Sequence, residues 1–313
     1  MNEIRPIDPA KFQDPDITAD GSERASVSLT RLETLWLNTG TLCNLECASC
    51  YIESSPTNDR LVYLSLSEAN RFFDEIDALN LGTHEIGITG GEPFMNPEII
   101  PIMESALERG FDVLVLTNAM KPMAHKKAEL LKLKERSGHR LQLRVSVDHY
   151  SRERHEEERG PNSFAPMLEG LKWLSDNGFD IAAAGRTFSS ESEEALRAGY
   201  GRLFAEHGIE LDASDPAQLI LFPEMDENKD VPEITTECWG LLNVRPEDQM
   251  CASSRMVIHR KGEPHAKVVP CTLLPYDPQF EMGTSLAEAL GQVKLNHPHC
   301  AKFCVLGGGS CSA

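Results

Sequence analysis

LETLWLNTGTLCNLECASCY, residues 32–51, joins an apolar strand to a loop with three cysteines. Leu32–Asn38 is the predicted strand, and Cys43, Cys47 and Cys50 follow in the loop. Thiolates this close in sequence converge only if the loop wraps around a common centre, and thiolates favour soft metals and iron–sulfur clusters. The spacing therefore indicates a cluster with one iron open to a ligand, or a zinc site that a distant fourth ligand completes.

Apolar strands alternate with amphipathic helices beyond this loop, which predicts right-handed βαβ units and a parallel sheet. We expect an α/β fold with six units, either a partial barrel or an open sheet, and an active site at the carboxyl ends of its strands. The predicted strands are Leu32–Asn38, His84–Thr89, Phe111–Asn118, Leu141–Val147, Phe179–Thr187 and Gln218–Phe222. The predicted helices are Ser67–Leu79 and Asn96–Arg109, with Ser67 and Asn96 as N-caps, then Pro122–Arg136, Phe164–Asn177 and Glu191–His207.

Polar and glycine-rich segments occur at the ends of the second, third and fourth strands. The segment 90–93, GGEP, offers glycines that tolerate positive φ and close approach, a carboxylate, and a proline that fixes the turn. Asn118 ends the third strand. In the fourth strand, period-two alternation places Arg144, Ser146 and Asp148 on one face. Such side chains need partners or a polar cavity, and a salt bridge between Arg144 and Asp148 is the structural alternative.

A second, cysteine-rich region follows residue 225. Cys251 and Cys271 bracket a predicted hairpin that turns at residues 261–262, and Cys300 and Cys304 are spaced by one helical turn. We predict that these cysteines hold one metal centre, with Cys311 as a rival ligand. The alternatives are a structural zinc site with His297 and His299 nearby, and, for Cys238, an ordinary buried cysteine.

Together these motifs resemble the radical S-adenosylmethionine (SAM) superfamily, whose motif is C-x3-C-x2-C after the first barrel strand. The family usually has an aromatic residue where this chain has Ser49, and Tyr51 resembles the ending found in a subgroup with peptide-modifying members. The resemblance implies a partial (βα)6 TIM-like barrel in which Cys43, Cys47 and Cys50 hold a SAM-binding 4Fe-4S cluster. It also implies SAM contacts from Tyr51, Gly90, Gly91, Glu92, Pro93, Asn118, Ser146, Asp148 and Arg186.

Individual roles follow from the same resemblance. Glu92 and nearby backbone groups would receive the amino group of SAM, and Arg186 could meet its carboxylate. Residues 155–160 resemble a loop of many relatives, which we interpret as a structural loop bordering the substrate pocket. The C-terminal region resembles the SPASM and twitch domains, which implies a second, auxiliary 4Fe-4S cluster on Cys251, Cys271, Cys300 and Cys304. The implied division is an irregular arm (1–30), a radical SAM barrel (31–225) and a SPASM/twitch-like domain (226–313).

The resemblance implies an oxidoreductase or maturase that cleaves SAM reductively to a 5′-deoxyadenosyl radical. That radical would abstract a hydrogen atom from a small-molecule or peptide substrate, with net oxidation or cross-linking helped by the auxiliary cluster. A flavodoxin- or ferredoxin-type protein would donate the electron. The alternatives are a non-catalytic iron–sulfur or zinc protein, acting as scaffold or electron carrier, and a nucleotide-rearranging enzyme of cofactor biosynthesis.

Net charge and hydrophobicity narrow the classes of binding partner to be expected. The 313 residues carry a formal net charge of −19, which argues against nucleic acid binding through phosphates. The sequence contains no long uncharged apolar stretch and no apolar core of a secretory signal near Met1. We therefore expect a cytoplasmic protein without membrane or nucleic acid partners.

Overall fold

The computed structural model describes residues 6–187, 191–224 and 226–310. Its strands are β1 Ser26–Val27, β2 Thr34–Asn38, β3 Glu85–Thr89, β4 Asp112–Thr117, β5 Leu141–Asp148, β6 Asp180–Arg186, β7 Leu219–Phe222, β8 Ser254–Ile258, β9 Lys267–Val269 and β10 Val293–Lys294. Its α-helices are α1 Leu66–Leu79, α2 Ile99–Glu108, α3 Lys121–Ala124, α4 Lys127–Ser137, α5 Arg152–Arg159, α6 Phe164–Asp176, α7 Glu193–His207 and α8 Cys238–Leu242.

One large sheet organises the chain, in the order β7-β6-β5-β4-β3-β2-β8-β9. Strands β2 to β7 are parallel to their neighbours, as expected when each returns through a helical connection. The six predicted strands all occur, and the α/β fold with a partial TIM-like barrel is confirmed. Strand β8 adds to the other side of β2 in parallel, and β9 pairs with β8 as the predicted hairpin.

The two faces of the sheet contribute to different hydrophobic clusters. Leu35 and Leu37 of β2 pack in one cluster with helix residues such as Phe72. Trp36, between them, points the opposite way and packs with Met256 of β8. Period-two alternation thus separates the helix-covered outside from the inside of the partial barrel.

The two predicted N-caps differ from those observed. Ser65, not Ser67, caps α1, because its hydroxyl accepts the Glu68 backbone N–H while the Glu68 carboxylate accepts the Ser65 N–H, a reciprocal capping box. Asn96 does not cap α2. A 3₁₀ turn ends at Asn96, whose buried amide donates to the carbonyls of Thr39 and Leu64, and α2 begins at Ile99. Asn96 therefore ties the glycine-containing turn to the segments that follow β2 and precede α1.

Two further segments also differ. The helix predicted over 122–136 is divided into α3 and α4 at residues 125–126. Residues 155–160, predicted as a loop, lie mostly in helix α5, whose first turn is capped by the Ser151 hydroxyl. His155 is fully buried and contacts the Val147 carbonyl, which anchors α5 to the end of β5.

The N-terminal arm packs on the C-terminal region. Strand β1 pairs antiparallel with β10, and the buried Arg24 guanidinium forms a 2.5 Å ion pair with Glu233. Cys238 begins α8, and it is half-buried rather than buried as predicted. The division of the chain near residue 225 stays a prediction. None of the helices in the described part of the chain combines the length and apolar character that a membrane span requires.

Candidate active site

The carboxyl ends of the parallel strands open into a cavity of about 1110 Å³, its mouth included. In α/β barrels this end of the strands carries the active site. Cys43, Cys47 and Cys50 all line the cavity. Seven of the nine residues expected to contact SAM also line it, namely Tyr51, Gly90, Gly91, Asn118, Ser146, Asp148 and Arg186. Glu92 and Pro93 lie behind this lining, buried in the turn that follows β3.

The cysteine loop is folded on itself. The Cys50 N–H donates to the Cys47 carbonyl, and backbone N–H groups of Leu45 and Ser54 donate to the sulfurs of Cys43 and Cys50 at 3.4 and 3.3 Å. Burial raises the pKa of the Cys43 thiol to about 12 and raises that of Cys47. Their ionisation therefore needs a bound cationic centre, as for thiolate ligands of metals.

The glycine turn docks on the backbone of the cysteine loop. The Gly91 N–H donates to the Gly40 carbonyl at 2.8 Å, and the Glu92 N–H donates to the Leu42 carbonyl at 3.2 Å. A Cβ on Gly91 would lie 2.3 Å from the Leu42 carbonyl oxygen, and one on Gly90 would lie 2.5 Å from that of Gly40. Glycine is required here because the two loops approach so closely.

Glu92 connects the ends of β3 and β4. Its carboxylate accepts the Thr117 hydroxyl and the Asn118 N–H, both at 2.9 Å. Burial raises the pKa of Glu92 to about 7. Asn118 in turn donates through its amide to Asn44 at 3.0 Å and lies 3.9 Å from the Cys43 sulfur. Glu92 thus positions Asn118 beside the first cysteine. The predicted contacts of Glu92 and of Asn118 with SAM stay predictions.

Asp148 is paired with Arg159. The Arg159 Nε donates to Asp148 Oδ2 at 2.6 Å, so the Arg144–Asp148 pair considered from the sequence gives way to this one. Asp148 has a φ of +55°, and the pairing register of β5 with β6 shifts between Ser146 and Asp148. Strained backbone of this kind concentrates at functional sites. Sequence reasoning did not select Arg159, although Arg159 belongs to the segment 155–160 that resembles a loop of many relatives.

Arg186 is held by Glu158 and Ser49. Its Nη1 donates to Glu158 Oε2 at 3.2 Å and to the Ser49 hydroxyl, which itself contacts the Glu158 carboxylate. The Ala48 N–H donates to the Glu158 carbonyl at 2.8 Å. Residues 158 and 159 of α5 therefore secure the cysteine loop and two strand ends at once.

The second cysteine group is buried at the centre of the C-terminal region. Cys251, Cys271 and Cys300 pack in the same buried cluster. Burial, and then the nearby thiols of Cys271 and Cys251, raise the pKa of the Cys300 thiol. Cys304 is half-buried in the short π-helix Cys300–Val305, and Cys311 lies outside the described residues. Across residues 6–187, 191–224 and 226–310, no three His, Cys, Asp or Glu side chains are arranged to hold a single metal ion.

Two histidines near this group lie close to a carboxylate, and one arginine lies close to the thiols. Burial lowers the pKa values of His297 and His299 to about 4, and their Nε2 atoms lie 3.8 and 3.9 Å from the Glu227 carboxylate. Burial also lowers the pKa of Arg255 to about 10, against the opposing effect of the Cys251 and Cys271 thiols. Arg255, which the sequence did not single out, is therefore the cation beside the thiols.

Comparison with known proteins gives one family. The model of the Radical SAM superfamily matches residues 37–194. The antilisterial bacteriocin subtilosin biosynthesis protein AlbA of Bacillus subtilis (strain 168) is 33% identical over 153 residues, 49% of this chain and 32% of AlbA. A probable GTP 3′,8-cyclase of Saccharolobus islandicus (strain M.14.25 / Kamchatka #1) is 29% identical over 150 residues, 47% of this chain and 45% of the cyclase. The chain thus spans less than half the length of these curated relatives.

Solved structures show the same fold. Streptococcus suis SuiB bound to its precursor peptide SuiA aligns with a TM-score of 0.58 at 13% identity, covering 90% of this chain and 67% of SuiB. Histidine-tagged anSMEcpe with bound AdoMet aligns with a TM-score of 0.58 at 14% identity, covering 84% of this chain and 81% of anSMEcpe.

Proposed function

The chain belongs to the radical SAM superfamily, and from the geometry of its cavity we propose an enzyme that cleaves SAM reductively and abstracts a hydrogen atom from its substrate. The observation that carries the proposal is a single cavity lined by Cys43, Cys47 and Cys50 together with Gly91 and Asp148. A non-catalytic iron–sulfur protein needs the cysteines alone. Such a protein would require neither the strained backbone of Asp148 nor the docked glycine turn.

We propose that Cys43, Cys47 and Cys50 hold the 4Fe-4S cluster that characterises the family. The donor chemistry fits, because the three thiols share one cavity and a cationic centre there would offset the burial that raises the pKa of the Cys43 and Cys47 thiols. When bound, the cluster would supply the one electron that cleaves SAM to methionine and the radical that takes a hydrogen atom. The chain's own residues position these groups, and the cavity limits access of water.

SAM would be held by the other lining residues and by two residues buried behind them. Tyr51, Gly90, Gly91, Asn118, Ser146 and Asp148 are the proposed direct contacts. Glu92 acts through Asn118, Pro93 shapes the turn, and Arg159 holds Asp148 in place. Arg186 offers a guanidinium toward the carboxylate of SAM while Glu158 balances its charge.

The C-terminal region supports a second cluster on Cys251, Cys271, Cys300 and Cys304, with Cys311 as the rival ligand. The three buried thiols lie near one another beside Arg255, and a cation at that place favours thiolates. Such a cluster would suit a net oxidation, because it would supply an acceptor for the electron that a substrate radical must lose. We propose residues 226–313 as this domain, residues 31–225 as the barrel and residues 1–30 as an arm.

We propose a peptide as the substrate and a flavodoxin- or ferredoxin-type protein as the electron donor. The sequence similarity to AlbA, a bacteriocin biosynthesis protein, favours a peptide. The similarity to a probable GTP 3′,8-cyclase favours nucleotide chemistry as the second candidate, at lower identity over a similar length.

The direct test is dithionite-dependent formation of 5′-deoxyadenosine from SAM by the anaerobically reconstituted protein. We expect turnover in the wild type, its loss in Cys47→Ala, and its retention in the matched control Cys238→Ala. A wild type that binds iron but never cleaves SAM would contradict the proposal.

A further inference from the structure

Part of the cavity is lined by apolar side chains from the C-terminal half of the chain. Phe222 ends β7, and Leu273 and Phe303 come from the cysteine-rich region. The rings of Phe222 and Phe303 have centroids 5.8 Å apart and are tilted by 31°. We name these three residues the apolar wall. None of them belongs to the residues proposed to hold the cluster or SAM.

The apolar wall is fixed in place by its surroundings. Phe303 is 1% exposed, and its carbonyl accepts the Gly309 N–H at 2.8 Å. A Cβ on Gly309 would lie 2.8 Å from the Phe303 ring, so the backbone of Gly309 packs directly on that ring. The Phe222 carbonyl accepts the Thr187 N–H at 2.9 Å, which fixes the end of β7. Leu273 and Phe303 are buried and the half-buried Phe222 ring neighbours the Phe303 ring, so packing holds the three side chains in place.

The proposed SAM contacts account for only part of the lining of the cavity. The proposed contacts of SAM come from the cysteine loop and strands β3 to β6, which leaves the apolar wall for a second occupant.

The apolar wall also adjoins the second cysteine group. Leu273 follows Cys271 by two residues, and Phe303 lies between Cys300 and Cys304. A group seated on the wall is therefore next to the residues proposed to hold the auxiliary cluster, and it shares a cavity with the residues proposed to hold SAM. A radical formed there would lie near the residues proposed to hold the electron acceptor.

We propose that the apolar wall receives an uncharged hydrocarbon group of the substrate, which in a peptide is an aliphatic or aromatic side chain. An unsolvated charge or amide at this place would lose its hydrogen bonds to water and gain none from these three side chains. The inference rests on the proposed function, because it names the substrate group that the same cavity takes. Phe222, Leu273 and Phe303 are then the residues that determine specificity.

The test measures binding of N-acetylated tripeptide amides to the reconstituted protein with SAM present, by ligand-observed NMR. The peptides are Gly-Leu-Gly, Gly-Gln-Gly and Gly-Glu-Gly, which differ in the central side chain alone. We expect the leucine peptide to bind at least ~10-fold more tightly than the other two. Phe222→Ser should reduce this preference to less than ~3-fold, whereas Phe222→Leu should keep it. Iron content of each variant verifies that it is folded.

Equal binding of the three peptides, or binding of none, overturns the inference. So does a Phe222→Ser variant that keeps the leucine preference but binds SAM more weakly, because the wall would then belong to SAM. Wild-type SAM cleavage, measured on the same sample, separates this failure from failure of the proposed function. Cleavage without leucine preference refutes the apolar wall alone, and absence of cleavage refutes the enzyme.

Discussion

Arg159 at the end of helix α5 donates through Nε to Asp148 Oδ2 at 2.6 Å, inside the cavity that the first three cysteines line. Both side chains are largely buried, and Asp148 adopts a left-handed backbone conformation at the end of β5. The pair therefore joins the strained strand end to the helix that secures the cysteine loop.

Replacing Arg159 by methionine should leave Asp148 buried without its partner. Loss of one member of a buried pair costs about 3–5 kcal/mol of unfolding free energy, which urea denaturation of the apo protein measures. The matched control is Arg154→Met on the same helix, because Arg154 pairs with Glu157 in solvent and should cost at most ~1 kcal/mol. Equal effects of the two substitutions would show that the buried pair has no structural importance.

Substituting alanine at Gly91 should expel the cluster. The added Cβ would lie 2.3 Å from the Leu42 carbonyl oxygen, so the cysteine loop must move. We expect iron per chain to fall by about half, since the second cysteine group is untouched. Gly240→Ala is the control, because a Cβ there meets nothing within 4 Å. Full iron content in Gly91→Ala would contradict this account of the turn.

Glu92 should make the apo protein less stable as the pH rises. Its folded pKa of about 7 lies above the ordinary value of 4.5, mainly because of burial. Between these values the folded state binds the proton more tightly than the unfolded state, so unfolding free energy falls from pH 4.5 to pH 7. Glu92→Gln should remove this contribution, and denaturation at several pH values measures it. Identical pH slopes in the two proteins would refute the assignment.

The second cysteine group should serve product formation but not SAM cleavage. We expect Cys271→Ala to keep 5′-deoxyadenosine formation and to lose the oxidised product, because the electron acceptor is gone. Mass spectrometry of the substrate and chromatography of 5′-deoxyadenosine measure the two outcomes. Product formation at the wild-type rate would exclude the auxiliary role.

Local sequence patterns predicted the sheet and the first cysteine loop well, because each strand carries its own apolar signal. The alternation in β5 is an example: Val145 and Val147 pack under the helices while Ser146 and Asp148 line the cavity. Helix α5 was not predicted, because its sequence, RERHEEER, has no apolar periodicity. Glu158 and Arg159 were missed with it, since their partners are set by tertiary structure.

Long-range pairings were also beyond local reasoning. Strand β8 joins the sheet beside β2, although more than two hundred residues separate them in sequence. The pairing of β1 with β10 and the Arg24–Glu233 ion pair likewise connect distant segments. No periodicity within either partner encodes such a contact.

Iron and acid-labile sulfide per chain, counted after anaerobic reconstitution, test the central claim most directly. The wild type should hold about eight irons, and the triple variant Cys43→Ala, Cys47→Ala, Cys50→Ala about four. The same iron content in both proteins, or zinc in place of iron, would contradict a SAM-binding cluster on the first cysteine loop.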